Sequence, residues 1–457
     1  MARRLAPVEK KRRKRNASRL MVIGFLFIIF AGAVLLTLPI ASADGTATPF
    51  LDSLFTATSA TCITGLVVYD TASHWSVFGQ AVILCMIQIG GLGFMTMGSA
   101  LILLLRGDSS LSNRKQIAES LNMTDYKVAA QTMKHVFLGT AAFEGAGAVI
   151  LSARFIPEYG WGGGIWRGVF VSVSAFCNAG FDLMGKNNPF SSLTAYSDDL
   201  AVNLTVMGLI VIGGLGFLVW EDLYTKHSWK KLTLFSKTVL LGTGILILGG
   251  AILTFLFEYS NPETLGQLSV KGKILSALFQ SVSPRTAGMN TIDLSAMTEA
   301  SQVLTVVLMF IGASSGSTGG GVKITTVVVL IAALKSVLAG QKDATLMKRR
   351  LSQDLVYRAL TLICLPIAAI LISSTAINLL EPSVTFLEAV YECTSAFATV
   401  GLSLSVTPTL SVVSKIILMI LMFAGRLGML TISYALLTDR RRRNNTLRYP
   451  ETDLLIG

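Results

Sequence analysis

TSATCITGL, residues 58–66, breaks a pair of long apolar stretches with a run of hydroxyl side chains and a lone glycine, Gly65. The same cadence returns along the chain. SATCITG ends at Gly65, SAFCNAG at Gly180, VSPRTAG at Gly288 and SAFATVG at Gly401, a period of about 110 residues that marks four internal repeats. Each glycine follows a short apolar stretch, such as FLDSLFTATSA or FLEAVYECTSAF, that is too brief to cross a bilayer and long enough for a re-entrant half-helix.

Composition fixes the surroundings of these segments. The 457 residues are 52% hydrophobic and only 14% charged, more apolar than a soluble surface tolerates, so the lipid bilayer is the solvent. Runs of about 20 apolar residues, the length a helix needs to span, fall at 18–40, 76–105, 130–152, 200–222, 236–258, 302–335, 355–380 and 412–438. These eight spans come in pairs, and each pair encloses one glycine-ended segment. The fold class is therefore all-α integral membrane: four tandem helix, half-helix, helix repeats in a pseudo-fourfold arrangement around one pore. The repeats cover 18–106, 130–226, 236–335 and 355–438, flanked by a basic N-terminal tail at 1–17 and a C-terminal tail at 439–457.

Charge gives the orientation. KKRRKR at 10–15, RRRR at 440–443 and the stretches between successive pairs hold most of the Lys and Arg, so both termini and those loops face the cytoplasm. The stretches inside each pair carry more Asp and Glu than Lys and Arg, which makes the outer mouth acidic and concentrates cations there. The net charge of +12 is thus topology and not nucleic-acid binding. No cleavage site follows a short apolar core, so the first span reads as a retained helix. The five cysteines (62, 85, 177, 364 and 393) and three histidines show neither metal spacing nor a disulfide framework. No Walker loop, metal motif or triad signature appears, so an enzyme is not indicated.

Polar, irregular backbone at membrane depth is tolerated only where it lines water or is buried in protein. Four such segments around one axis can present rings of carbonyls that replace the hydration shell of a cation. Glycine permits the backbone angles that turn those carbonyls inward. A second motif follows each first one: GGLGF from Gly90 and Gly213, GRLGM from Gly425 and, in the third unit, GASSGSTGGG from Gly312. In the first two units its small residues suit close helix packing. In the third, glycines at roughly 1 kcal/mol each relative to alanine break the span.

These residues resemble the Trk/Ktr/HKT superfamily of cation transporters over 18–440. TSATCITGL, SVSAFCNAGF, QSVSPRTAGMN, TSAFATVGL and GASSGSTGGG carry the likeness. The chain is more similar to the KtrB type than to the TrkH type, since it begins directly with a basic tail and the first span. The resemblance implies K⁺ held at filter carbonyls of Ile63, Thr64 and Gly65; Asn178, Ala179 and Gly180; Thr286, Ala287 and Gly288; and Thr399, Val400 and Gly401. Glycine at all four key positions goes with K⁺ preference in the family. The resemblance makes 312–321 an intramembrane gate: Gly312, Ala313, Ser314, Ser315, Gly316, Ser317, Thr318, Gly319, Gly320 and Gly321. It further implies a homodimer in the plasma membrane, docked on a cytosolic RCK-type (KtrA-like) ring that binds ATP or ADP, with Na⁺ either co-transported or activating.

Four charges invite separate readings. Arg426 stands where other units have Gly91 and Gly214; an intramembrane cation faces a cavity or a partner, so it is expected to bond carbonyls of the 312–321 loop and repel cations beneath the filter. Lys323 either anchors that loop or snorkels to the cytoplasmic edge. Arg285 either places a charge near the vestibule or bonds half-helix carbonyls. Glu144 pairs either with a neighbouring helix or with a basic group, and the sequence does not say which. Trp75, Trp161, Trp166 and Trp220 near span ends suit interfacial anchoring. The rival transport mechanism is an alternating-access coupled cation symporter, since repeats and broken helices occur there too.

Overall fold

The computed structural model describes residues 7–93, 126–185, 188–341 and 343–429. The far end of the span expected over 76–105, the loop after it and the C-terminal tail at 439–457 lie outside the described residues.

Among the described residues the architecture is helical, with a single hairpin of two-residue strands, Thr345–Leu346 with Arg349–Arg350, in a connecting loop. In chain order the described helices of ten residues or more are α1 (Pro7–Thr37), α2 (Phe50–Thr61), α3 (Val77–Leu92), α4 (Tyr126–Cys177), α5 (Leu200–Leu215), α6 (Phe217–Lys226), α7 (Leu234–Glu258), α8 (Val270–Val282), α9 (Glu299–Phe310), α10 (Ile324–Leu338), α11 (Gln353–Leu380), α12 (Phe386–Ala398) and α13 (Val412–Leu427). Hydroxyl and carboxylate side chains cap many of them: Ser76, Asp199, Thr233, Ser269, Thr298 and Ser411 each accept an orphan amide, and Thr385 with Glu388 closes a full capping box on α12.

Among the described residues, Lys134–Cys177, Leu234–Glu258 and Gln353–Leu380 are long and apolar enough to cross a bilayer. α5 and α6 pass the same test only as a pair, bent by 92° at Gly216, so the apolar run expected as a span over 200–222 is not one continuous helix. The span expected over 302–335 is interrupted between α9 and α10, as its glycine content requires. In the second unit no loop separates the long helix from the short one. α4 runs through both, with one non-helical residue at Gly160 (φ 73°) where the chain turns back. Large apolar side chains such as Phe27 on α1, Ile245 on α7 and Ile372 on α11 stand exposed, as a lipid-facing surface requires.

The short helices α2, the end of α4, α8 and α12 form the inner layer. α2 packs between α1 and α3, α8 against α7, and α12 between α11 and α13. The second helix of each unit then reaches the next unit: α3 touches α4, α5 touches α8, α9 touches α12, and α13 returns to α2.

Candidate functional site

All four glycine-ended segments share one backbone course. The residue two before the glycine is left-handed (Ile63 φ 53°, Asn178 φ 56°, Thr286 φ 78°, Thr399 φ 52°), and the glycine is again at positive φ (91°, 73°, 76° and 94°). Alternating the sign of φ along an extended segment turns successive carbonyls to one side. Only glycine takes the last position without strain. Each turn is pinned from behind by the amide of the residue before the glycine. Thr64 donates to Ser59 O (2.7 Å), Ala179 to Ser174 O (2.8 Å), Ala287 to Ser283 O (2.9 Å) and Val400 to Ser395 O (2.9 Å).

The segments close on one another. A Cβ on Gly65 would lie 2.6 Å from Ala179 O and 2.8 Å from Gly180 Cα; on Gly180, 3.1 Å from Ala287 O and 3.2 Å from Gly288 Cα; on Gly288, 3.2 Å from Gly401 Cα; on Gly401, 2.8 Å from Gly65 Cα. Gly288 likewise abuts Val400 O, and Gly401 abuts Thr64 O. The carbonyl before each glycine thus faces the neighbouring glycine around a closed ring. Thr64, Ala179, Ala287 and Val400 supply those four oxygens, and Ile63 and its three counterparts lie one residue deeper, all buried.

Beneath the ring, glycines of the second motif sit on the last carbonyls of the short helices: Gly90 on Thr61 O, Gly213 on Phe176 O and Gly425 on Phe397 O. A side chain at any of these would collide with backbone, so close packing is their role. The fourth residue of the same motif does something the sequence reading passed over. Gly93, Gly216 and Gly428 end α3, α5 and α13 at φ 84°, 92° and 82° with ψ near 140°, a region confined to glycine, and so each helix breaks there.

The loop 312–321 fills the space under the ring. Gly312 N–H donates to Val322 O (2.9 Å), Ser314 N–H to Gly214 O (3.1 Å), Thr318 N–H to Gly213 O (3.4 Å), and Ala313 O accepts from Ile324 N–H. Ser315 O and Gly316 O lie against Gly216, and Gly316 O accepts from Phe217 N–H (3.0 Å). Ser317 donates to Ser314 O, and Thr318 Oγ1 to Phe176 O (3.2 Å). Gly319 abuts the hydroxyl of Thr286, Gly320 that of Thr399, and Gly321 the backbone of Ala398. Lys323 Nζ turns back on the loop, donating to Gly319 O (2.7 Å) and Gly320 O (3.3 Å). Arg426 reaches in from α13, donating to Thr318 O, Gly90 O and Gly91 O. One guanidinium therefore ties the break in α3 to the loop, and burial makes each of its bonds matter more than it would in water.

On the opposite side of the ring lies a cavity of about 350 Å³, lined by all four glycines together with Asp70, Asp182 and Asp293. Asp182, in the loop just after Gly180, has its carboxyl pushed up to about 6, chiefly because it is withdrawn from water, with the Asp70 charge adding to the effect. Glu392 of α12 is buried behind the fourth segment, where it accepts from Ser403 Oγ, Leu404 N–H (3.1 Å) and Thr407 Oγ1 (2.6 Å).

Other side chains fall where the sequence did not point. Arg285 is buried and bonds neither vestibule nor helix-end carbonyls; its Nη2 donates to Thr243 on α7 (3.2 Å). Glu144 accepts from Gln88 of α3 (3.3 Å). Trp75 is buried, with its ring against Gly79, so it is no interfacial anchor, whereas Trp161 is exposed. Ser59 and Ser395, which open their repeat segments but were given no role from the sequence, accept from Gly65 N–H and Gly401 N–H at 3.0 Å. Their recurrence six residues before the glycine was the available signal.

Apolar helices of spanning length, with short helices packed inside them around a glycine ring, define a multi-pass membrane protein. Over residues 8–441 the sequence matches the TrkH family of cation transport proteins, and the chain belongs to that family, in its KtrB-like branch. It is 39% identical to the potassium/sodium uptake protein NtpJ of Enterococcus hirae, over 98% of this chain and 100% of that one. It is 38% identical to Ktr system potassium uptake protein B of Bacillus subtilis, covering 96% of each, and 37% identical to its namesake in Vibrio alginolyticus, covering 98% and 97%. The crystal structure of the potassium transporter TrkH from Vibrio parahaemolyticus superposes with a TM-score of 0.72 over 93% of this chain and 85% of that one at 20% identity, which concerns the fold alone.

Proposed function

We propose that this chain is the pore-forming subunit of a K⁺ uptake system, conducting dehydrated K⁺ through the carbonyl ring at Gly65, Gly180, Gly288 and Gly401. The observation that carries this reading is the closed circuit of glycine contacts, with one carbonyl facing each glycine. Such a ring can substitute for a cation's hydration shell. The names of the relatives, potassium and potassium/sodium uptake proteins, support K⁺ as cargo and keep Na⁺ in play as co-ion or activator. The acidic cavity serves as the outer vestibule, the loop 312–321 as the gate, and Arg426 with Lys323 as the cations that hold it closed. The four repeats at 18–106, 130–226, 236–335 and 355–438 stand in pseudo-fourfold order around the pore. Both tails, 1–17 and 439–457, lie on the cytoplasmic side of the plasma membrane. Two copies form the transporter, and the word "system" in the relatives' names supports a further component, here the RCK-type ring binding ATP or ADP.

Uptake of K⁺ against Na⁺ into proteoliposomes holding the purified chain tests the reading, with Gly65→Ser alongside. A side chain at Gly65 would press on Ala179 O and Gly180 Cα, widening the ring. Wild type is expected to favour K⁺ and the variant to lose that preference. Absence of cation flux, or an unchanged preference in the variant, refutes it.

A further inference from the structure

Between the start of α4 and the bent helix α6 lies a cavity of about 660 Å³, larger than the vestibule and away from the ion path. Its walls are apolar and aromatic, with Leu138, Phe143, Leu215, Phe217 and Trp220, and it opens to the side where Leu138 and Leu223 stand exposed to lipid. Polar groups gather at one end only. His135 pairs there with Glu221 (3.1 Å), and His227 lies beyond Tyr224. Basic residues neighbour that end along the chain: Lys134 precedes His135, Lys226 precedes His227 and pairs with Asp222 (2.6 Å), and exposed Lys230 and Lys231 follow. An apolar slot whose polar end carries two imidazoles, one of them held by Glu221, with lysines next to them in the chain, complements a lipid whose tail is hydrocarbon and whose headgroup is anionic.

The inner end of the slot reaches the loop 312–321. Trp220 packs against Phe143, Phe176 and Phe217 with ring centroids 5.2–5.6 Å apart. Phe217 N–H holds Gly316 O, and Phe176 O accepts from Thr318 Oγ1. Whatever fixes α6 against α4 therefore fixes two of the loop's attachments.

We propose that this slot binds one anionic phospholipid, an acyl chain between α4 and α6 and its phosphate at the His135, His227 and Lys134 rim, and that occupancy sets the position of the loop through Phe217 and Trp220. The regulatory half rests on the conduction reading above; the binding half does not.

Gly139 offers a way to fill the slot without touching the ring or the loop. A Cβ there would meet only Trp220, at 3.6 Å, so Gly139→Leu extends into the cavity. Native mass spectrometry of the detergent-solubilised full chain with added phosphatidylglycerol is expected to show a retained adduct in wild type and its loss in Gly139→Leu, with phosphatidylcholine retained by neither. In vesicles, adding phosphatidylglycerol to phosphatidylcholine is expected to change wild-type K⁺ flux by about fivefold or more, the scale of an ordinary allosteric coupling, and to leave Gly139→Leu unmoved. Lys134→Gln combined with His135→Gln and His227→Gln keeps the slot open and should erase the preference for the anionic headgroup. Equal retention by wild type and Gly139→Leu, or a rim variant that still discriminates, overturns the site. Loss of the adduct with an unaltered lipid response of flux overturns the coupling. No flux under any condition overturns the conduction reading and leaves the mass-spectrometric result to decide the site.

Discussion

Lys415 Nζ lies 2.9 Å from Asp52 Oδ1, joining the last described helix of the chain to the first of its short inner helices. Both side chains are nearly buried, and Tyr69 donates to the second carboxylate oxygen at 3.0 Å. The pair sits at the seam where the circle of helices closes, at α13 against α2. Removing one partner strands the other charge away from water, which costs about 3–5 kcal/mol, whereas removing both leaves no orphan. Lys415→Met should therefore lower the thermal unfolding midpoint sharply and Asp52→Asn/Lys415→Met should recover part of the loss. Equal midpoints for wild type and Lys415→Met would show that the seam holds without the pair.

Gly216→Ala forces a Cβ into a conformation that only glycine takes easily, and brings it to 3.2 Å from Ser315 O and Gly316 O. A loss of about 1–3 kcal/mol is expected, accompanied by faster amide hydrogen exchange across 312–321. Gly208→Ala in the same helix is the control, since nothing lies within 4 Å of its Cβ. That change should be neutral or stabilising by up to about 1 kcal/mol. Exchange in the loop that stays at the wild-type rate in Gly216→Ala would disconnect the bend from the loop.

Arg426→Gln keeps a donor near the loop and removes the fixed cation and the forked geometry that bridges Thr318 O to Gly90 O and Gly91 O. Basal K⁺ flux should rise severalfold while the K⁺ over Na⁺ ratio holds, because the ring above is untouched. A fall in flux, or a collapse of selectivity, would place Arg426 in the ring's support instead.

Acidification should weaken the vestibule. The Asp182 carboxyl, raised by burial to about 6, is ionised at pH 7.5 and largely protonated at pH 5. Its neighbours around the cavity are Asp70 and Asp293. K⁺ uptake at low K⁺ is expected to fall over that interval and to become flatter with pH in Asp182→Asn. The stability effect has the opposite sense. A carboxyl whose folded value lies above its unfolded one binds more protons when folded, so ionising it between about pH 4 and 6 destabilises the fold. Asp182→Asn should relieve that loss, which chemical denaturation at pH 5 and 7.5 can measure.

The four glycine-ended segments were legible because the glycines repeat and each follows a short apolar stretch. The interruption between α9 and α10 was legible because its glycines oppose helix. What stayed hidden depends on backbone sign or on distant partners. Nothing in the spacing of GGLG separates the glycines that pack, Gly90 and Gly213, from those that break the helix, Gly93 and Gly216, because one requirement is room and the other is φ. Arg285 found Thr243 on α7, and Lys415 found Asp52 across nearly the whole chain. Neither pairing leaves a local trace. Lys323, equally readable as anchor or as snorkel, lies against Gly319 O and Gly320 O because the loop folds back over its own exit.

Although the ring repeats its glycines four times, its bracing is uneven. In the first and fourth segments a serine hydroxyl, Ser59 or Ser395, takes the glycine amide. In the second and third the side chains of Asn178 and Thr286 lean on each other at 3.0 Å instead, with the Thr286 hydroxyl against Gly319 below. A hoop braced by serine hydroxyls at two segments and by a side-chain pair at the other two, with the loop beneath touching Phe176, Thr286 and Thr399, does not dilate evenly. Under load it goes oval, and the loop on which three of its segments rest moves with it. Sieving by size and opening of the passage would then be two expressions of one mechanical compliance.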